Sequence, residues 1–169
     1  MIGLVEAGPS YAVAKAHQST GSLNAYLGVG PGDDHGGAGG GVELRGKVGP
    51  SVGQFALGPF LYGMGGPSMT PGFVAVPFAR AGFNLAQFES VEGRFAFGML
   101  GPHASAGVFL RIFPEAGMSI SIDGEYDVRF TSTPNTGYLS LMIGFGFLAY
   151  SGGPKFSAPK AEPETRPIR

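Results

Sequence analysis

The sequence contains no cysteine and no tryptophan, and charged residues make up only 14% of its 169 positions. The lack of cysteine excludes a disulfide framework and a cysteine-based zinc site. The low charge argues against a soluble protein, since about 25% of an average soluble chain is charged. No stretch approaches the roughly 18 consecutive apolar residues of a membrane-spanning helix. Lys and Arg (11) do not exceed Asp and Glu (12) and form no basic run, which excludes nucleic-acid binding.

Strand-like alternation of apolar and polar residues runs through the chain. Gly (31) and Pro (14) interrupt almost every window long enough for an amphipathic helix. In residues 118–130, Ile120 and Ile122 fall on one face, whereas Asp123 and Glu125 fall on the other. Ionisable groups in a row on one face cannot lie in a dry core. The clearest apolar face belongs to residues 137–150 and is predicted to face lipid through Leu139, Leu141, Ile143, Phe145 and Phe147.

Eight segments alternate in this way, and most are near the 9 to 11 residues, roughly, that a tilted strand needs to cross a bilayer. They predict an all-β fold, a closed antiparallel up-and-down transmembrane β-barrel of about eight strands, formed by residues 22–150. Residues 1–21 are predicted to be an N-terminal arm or an extra strand. Residues 151–169 are predicted to be a disordered tail, because they are Pro-rich and charged. The eight segments are 22–30, 41–48, 54–63, 73–88, 94–101, 106–113, 118–130 and 137–150.

Two finer features of the predicted barrel concern its strands and connections. The alternation slips near residues 78–82, which predicts a bulge or a bend there. Tight connections, such as those near residues 50 and 90, alternate with longer ones that include residues 31–38. That pattern is typical of outer-membrane barrels, whose short turns lie on the periplasmic side.

The charged faces of the strands would point into a lumen that is only just wide enough for side chains to fill it. Both signs are present in near balance, and an unpaired charge there would cost several kcal/mol, roughly. We therefore expect the charges to pair across the lumen as an ionic plug. The predicted cluster comprises Glu43, Arg45, Lys47, Arg94, Arg111, Asp123, Glu125, Asp127 and Arg129.

Three segments resemble a known group of proteins: GEYDVRF at 124–130, the hairpin FLRIFPEAGMSISID at 109–123, and the closing strand GYLSLMIGFGFLAY at 137–150. Over residues 22–150 the chain resembles the small outer-membrane β-barrel superfamily, which includes the OmpA-like membrane domains. The resemblance implies a barrel in a bacterial outer membrane. Relatives often end the last strand on an aromatic residue that serves as an assembly signal, a position held here by Tyr150.

One motif resembles a catalytic site. His103 and Ser105 have the His-x-Ser spacing of outer-membrane lipid A deacylases, and Glu115 is the candidate third member. Alternation places His103 and Ser105 with Arg111 on the inner face, which lipid cannot reach. The sequence therefore predicts no catalytic residue and no enzyme.

Two further motifs are interpreted without a ligand, the first as a turn and the second as loop and strand-end glycines. Asp33, Asp34 and His35 would suit a divalent cation, but a solvated turn, in which Asp favours non-helical backbone, is the better explanation of these residue types. The glycine runs at 28–32 and 36–41 do not precede a helix, so they lack the setting of a phosphate-binding loop. We predict neither a metal nor a cofactor.

These observations predict a non-enzymatic, integral protein of the bacterial outer membrane with a structural, adhesive or assembly role and a charge-plugged lumen. Outer-membrane lipid is its expected partner. One alternative is a small channel or a carrier of apolar solutes, which would need a less charged lumen. Another is a soluble β-rich subunit of a larger extracellular assembly, in which the apolar faces would be buried. Residues 1–18 lack a basic segment and make a poor secretory signal.

Overall fold

Twelve β-strands make up the regular structure of the residues that the computed structural model describes. These residues are 1–13, 19–33, 35–49, 52–70, 73–91, 94–98, 101–112, 116–127 and 136–148. They include no helix that is long and apolar enough to cross a membrane. The strands are β1 (Ile2–Ala12), β2 (Ser19–Val29), β3 (Gly32–Asp33), β4 (Gly36–Val48), β5 (Val52–Gly65), β6 (Ser68–Thr70), β7 (Phe73–Phe83), β8 (Ala86–Val91), β9 (Arg94–Gly98), β10 (Pro102–Arg111), β11 (Ala116–Asp127) and β12 (Thr136–Leu148).

The sheet closes on itself because β1 pairs with both β2 and β12, and β4 pairs with both β2 and β5. Cross-strand partners can be followed once around the wall, and the path that leaves β1 at Ile2 returns to it at Ala12. Such a stagger requires strands that are tilted against the barrel axis. The prediction of a closed antiparallel barrel is confirmed. From Ile2 the partners are Gly28, Gly41, Phe60, Gly82, His103, Glu125, Tyr138 and Ala12.

Eight barrel strands arise from these twelve elements. Strands β7 and β8 are the two halves of one barrel strand, since both pair with β5; β9 and β10 pair with β8 and β7 and form the next one. The short strands β3 and β6 lie in connections. The segments predicted at 94–101 and 106–113 therefore belong to one barrel strand.

The first barrel strand lies within residues 1–21, which were predicted to be an N-terminal arm or an extra strand beside a barrel of residues 22–150. Strand β1 pairs with β2 from Ile2 to Tyr11, so the barrel begins at Ile2 and not at residue 22. On its other side, the ladder to β12 is interrupted at Gly8 and Pro9. Pro9 has no N–H group to donate to the neighbouring strand. A Gly-Pro sequence is therefore unusual in a strand, which explains why the sequence did not predict β1 clearly.

The discontinuity in the wall lies at Asn84 and Leu85, between β7 and β8, so the predicted position at 78–82 was wrong. Phe78 and Arg80 keep their alternation and both point inwards. Leu85 and Ala86 are both exposed in succession, and inward alternation resumes at Gln87. The backbone stays bonded across the break, since Asn84 N donates to Gly101 O at 3.1 Å and Leu85 N donates to Leu57 O at 2.9 Å.

The glycines at 36–41 were predicted to be loop and strand-end residues, but all of them belong to strand β4 and pair with β5. Inside the barrel, the rings of Phe60 and Tyr62 lie against the glycines of this wall. A Cβ atom on Gly28 would stand 2.9 Å from Tyr62 and 3.0 Å from Phe60, and one on Gly39 would stand 2.7 Å from the Tyr62 hydroxyl. Missing side chains thus make room for two aromatic rings.

The connections do not separate by length in the predicted way. We call the end of the barrel that holds Ile2 and Leu148 the terminal end, and the opposite end, which holds Ala12 and Tyr138, the far end. The tight connections after β4 and β8 lie at the far end, whereas the tight connection after β10 lies at the terminal end. Short turns therefore occur at both ends.

The apolar faces of the strands point outwards and the charged faces point inwards. The five residues predicted to face lipid are exposed by 37% to 65%. A soluble β-sandwich would bury these faces and expose the charged ones, which is the reverse of the arrangement in this barrel. The five are Leu139, Leu141, Ile143, Phe145 and Phe147.

Candidate functional site

The barrel interior is divided into an apolar part at the terminal end and a charged part that extends towards the far end. In the apolar part, the ring of Phe60 packs edge-on against Tyr26 (5.7 Å between centroids) and lies 5.9 Å from Tyr62. Aromatic and aliphatic side chains therefore meet in the interior at the terminal end. The buried apolar cluster consists of Ile2, Leu4, Tyr26, Phe60, Tyr62, Val76, Phe78, Phe109 and Leu148.

An ion pair between Glu6 and Arg80 lies where the two parts meet. Arg80 Nη2 donates to Glu6 Oε2 at 2.7 Å, and both side chains are fully buried. The other carboxylate oxygen of Glu6 accepts from Ser119 (2.7 Å) and Ser121 (3.0 Å). The Arg80 guanidinium stacks 3.5 Å above the ring of Tyr26, which gives the pair a cation–π contact as well.

A second ionic cluster lies nearer the far end and joins β4 to β11. Arg45 Nη2 contacts Glu125 Oε2 at 2.6 Å and Asp123 Oδ2 at 3.0 Å. Lys47 Nζ lies 2.5 Å from the same Glu125 oxygen and 4.0 Å from the centroid of the Tyr138 ring. These strands are not neighbours in the sheet, so the pairs cross the lumen.

Further polar contacts lie in the interior. His103 Nε2 contacts Glu43 Oε1, and Arg111 Nη2 donates to Leu148 O at 3.0 Å. Ser140 Oγ donates to Ser10 Oγ at 2.7 Å near the far end. The contact of His103 with Glu43 joins β10 to β4 across the lumen, whereas Ser10 and Ser140 are partners on the neighbouring strands β1 and β12.

The residues predicted for the lumen cluster fall into two groups. The structure buries six of them in the interior, where four meet in the cluster of Arg45 and Lys47 with Asp123 and Glu125. The side chains of Arg94 and Asp127, and all of Arg129, lie outside the described residues. The six buried residues are Glu43, Arg45, Lys47, Arg111, Asp123 and Glu125.

Sequence reasoning missed Glu6 and Arg80, the most buried ion pair in the described interior. The signal was present, since Glu6 continues the inward parity of Ile2 and Leu4, and Arg80 that of Phe78. Because the neighbours on the same face are apolar, neither strand showed the charged face by which the lumen residues were recognised. An isolated charge within an apolar inward face is therefore a useful marker of a pair in a barrel of this size.

The motif of His103 and Ser105 faces the interior, where both side chains are buried. Ser105 Oγ accepts a hydrogen bond from Arg80 Nε at 2.8 Å, and His103 is engaged with Glu43. Glu115 lies outside the described residues. The structure therefore couples this His and Ser to the lumen network and directs them away from the outer wall.

The described residues contain no group of three or more His, Cys, Asp or Glu side chains that could hold a metal ion. His35 lies in a turn, and Asp33 belongs to β3. Asp34 lies outside the described residues.

The buried charges of the described interior balance, with four acidic groups against four basic ones besides His103. Apart from His103, these buried groups therefore carry no net charge, which matters in a space of low dielectric where a single unpaired ion would be costly. The acids are Glu6, Glu43, Asp123 and Glu125, and the bases are Arg45, Lys47, Arg80 and Arg111.

The fold resembles those of solved outer-membrane proteins. Neisserial surface protein A (NspA) is similar with a TM-score of 0.56 and 13% sequence identity, over 86% of this chain and 95% of that one. The outer membrane enzyme PagL is similar with a TM-score of 0.58 and 15% identity, over 86% of this chain and 99% of that one. No protein-family model matches the sequence, and no curated protein matches it significantly.

These likenesses correct one prediction and support others. The prediction that the protein is not an enzyme is contradicted, because PagL has the same fold and is an outer-membrane enzyme. The predicted fold is confirmed, and the likenesses agree with the predicted location in a bacterial outer membrane. The chain is an eight-stranded barrel with the fold of the small outer-membrane β-barrels.

Proposed function

We propose that the protein is an integral barrel of the bacterial outer membrane whose lumen is closed by its own side chains, and that it has a structural, adhesive or assembly role. The observation that carries this proposal is the Glu6–Arg80 pair, which bridges the interior with both side chains fully buried. A conducting pore would keep such groups hydrated.

The outer surface supports the membrane part of the proposal. Leu141, Ile143 and Phe145 are exposed by 50%, 51% and 65%, on the same face of β12. Water would leave this apolar surface unfavourably hydrated, whereas hydrocarbon covers it without cost. The lipid of the membrane is therefore the partner that this face fits.

The interior supports the closed lumen. Apolar side chains fill the terminal end, and the ion pairs of Arg45 and Lys47 with Glu125 span the lumen nearer the far end. A solute would have to displace both layers, and breaking a buried pair costs about 3 to 5 kcal/mol. This favours a structural role over the channel alternative.

Planar-bilayer recording tests the closed lumen. The wild type should insert and pass no steady current. Insertion is verified separately by flotation of the protein with phospholipid vesicles. A steady conductance of the inserted wild type would reject the closed lumen and favour the channel.

Site-directed labelling tests the membrane face, and the absence of cysteine makes single-cysteine variants simple to read. An environment-sensitive label at Leu141→Cys should report hydrocarbon. The matched position is Ser140→Cys, its neighbour on the inner face of β12, which is 5% exposed. A label at residue 141 that reports water would reject the proposed membrane face.

A further inference from the structure

Glu43 is a buried acid that makes no ion pair with an arginine or a lysine of the described residues. Its side chain is fully buried, and its Oε1 atom contacts Nε2 of His103, whose side chain is 1% exposed. Each of the other three buried acids contacts an arginine. A carboxylate enclosed in this way requires a cation beside it, and the side chain that lies there is His103.

The fourth buried base, Arg111, is too distant to balance the charge of Glu43. It lies on β10, the strand of His103, but eight residues further towards the terminal end, which is roughly 26 Å along a β-strand. There its Nη2 atom donates to Leu148 O. Without Arg111, the buried groups of the described charged part are four acids and three bases, so this part has one positive charge too few unless His103 supplies it.

The sheet makes room for the imidazole ring at this position. The partner of His103 on β7 is Gly82, and a Cβ atom on that glycine would lie 2.7 Å from Nε2. Any other residue at position 82 would therefore collide with the ring. The partner on the other side, on β11, is Glu125, so the ring contacts one carboxylate across the lumen and lies beside the strand position of another. Two negative charges at such short range stabilise an imidazolium by Coulomb attraction.

The other charged and titratable groups around His103 do not change their charge near neutral pH. Ser105, on the same strand, accepts from Arg80, whose guanidinium is paired with Glu6. The tyrosines that face the interior are ordinarily neutral phenols in this range. His103 is therefore the described group of the charged part whose charge can change there. The groups on the surrounding strands are Glu6 (β1), Tyr26 (β2), Arg45 and Lys47 (β4), Tyr62 (β5), Arg80 (β7), Asp123 and Glu125 (β11) and Tyr138 (β12).

We propose that His103 is the fourth cation of the charged interior, and that its imidazolium joins β10 to β4 across the lumen in a pH-dependent way. The proposal rests on the closed lumen of the proposed function. With a proton on both ring nitrogens, the ring balances the charge of Glu43. When one of these protons passes to the solvent, the carboxylate becomes an unpaired buried charge, which is costly. The folded barrel therefore retains a proton that the unfolded chain releases above about pH 6.5.

Nitrogen NMR of the isotope-labelled full chain in phosphatidylcholine vesicles measures the charge of the ring directly, because imidazolium and neutral imidazole differ in their nitrogen chemical shifts. At about pH 7.5, where a free histidine is mostly neutral, His103 should give the imidazolium signal. The exposed His35 provides a reference ring outside the lumen, and His103→Gln assigns the signal by its loss. Glu43→Gln keeps the size of the side chain but removes its charge, so that His103 should become neutral.

Urea unfolding in the same vesicles measures the consequence for stability. Because the folded wild type binds one more proton than the unfolded chain, its unfolding equilibrium constant should rise by up to about tenfold per pH unit between about pH 7 and 9. Glu43→Gln should lose this dependence. Asp123→Asn is the matched control, since it also converts a buried acid to its amide but removes a partner of Arg45, and it should keep the dependence. Contributions of the other two histidines are common to all variants.

A neutral His103 in a wild type that passes no current would overturn this proposal alone, and this result does not require Glu43→Gln to fold. Equal pH dependence of the wild type and Glu43→Gln would overturn it as well. Loss of the dependence in Asp123→Asn to the same extent would assign the proton to the ionic cluster as a whole, against the proposal. A steady current through the inserted wild type would reject the closed lumen itself.

Discussion

Removal of either member of the Glu6–Arg80 pair should destabilise the barrel more than any other single truncation in the charged interior. Both side chains are fully buried, and the carboxylate also accepts two serine hydroxyls. Glu6→Ala leaves the guanidinium without its counterion, and Arg80→Ala leaves the carboxylate without its cation. Breaking a buried pair in this way costs about 3 to 5 kcal/mol.

The double variant separates the pair energy from the loss of packing. Glu6→Ala together with Arg80→Ala removes both charges, so the free energy of unfolding should fall by less than the sum of the single effects. For groups in direct contact the difference is about 0.5 to 3 kcal/mol. Ser140→Ala is a suitable control, because the hydrogen bonds that it deletes, to Ser10 at 2.7 Å and to Ser22 at 3.5 Å, are neutral, and each should contribute about 1 kcal/mol or less.

Urea unfolding of the vesicle-inserted protein provides the measurement, with the folded fraction followed by far-ultraviolet circular dichroism. The reasoning would be refuted if each single variant lost no more stability than Ser140→Ala. Strict additivity of the two substitutions would refute it as well, because it would show that the charges do not interact.

Three further predictions use the same unfolding assay. Leu141→Arg places a charge on the outer face and should cost about 2 to 4 kcal/mol for a residue near the bilayer midplane; an unchanged stability would contradict a lipid-facing position. Removing Arg45 and Lys47 together should destabilise by about 3 kcal/mol or more, and additional removal of Glu125 should recover part of that loss; no recovery would show that the charges do not pair. Gly28→Leu forces a side chain against Phe60 and Tyr62 and should cost about 1 to 3 kcal/mol through overpacking; a neutral effect would mean that the aromatic cluster can yield.

The alternation of residue types was sufficient to predict the barrel and the direction of its faces. In residues 118–126 and 137–148, side chains on alternate positions lie on opposite faces of the strand, as the geometry of a β-strand requires. The alternation alone therefore predicted that Arg45 and Asp123 face the lumen, before their partners were known. The strand count of eight was also right, although residues 2–12 were missing from it and one barrel strand was counted twice.

Parity could not predict which charges meet. The pairing of Arg45 with Asp123 depends on the stagger of the barrel, which sets how far β4 is displaced from β11 across the lumen. That stagger is a property of the closed sheet and leaves no local pattern in a strand. The break at Asn84 was misplaced for a related reason, because its position follows from how β7 and β8 share the neighbouring strand β5.

The contacts of the interior join parts of the chain that are distant in sequence, and this has a consequence for folding. Glu6 on the first strand meets Arg80, 74 residues away, and Ser119, 113 residues away. Arg45 meets Glu125 over 80 residues. Neither the acidic nor the basic side chain can be buried favourably before its partner is in place. In addition, β1 completes its pairing only when β12 has joined the sheet. Closure of the wall and neutralisation of the lumen must therefore occur together, late in folding, so that the ion pairs stabilise the complete barrel and not its open intermediates.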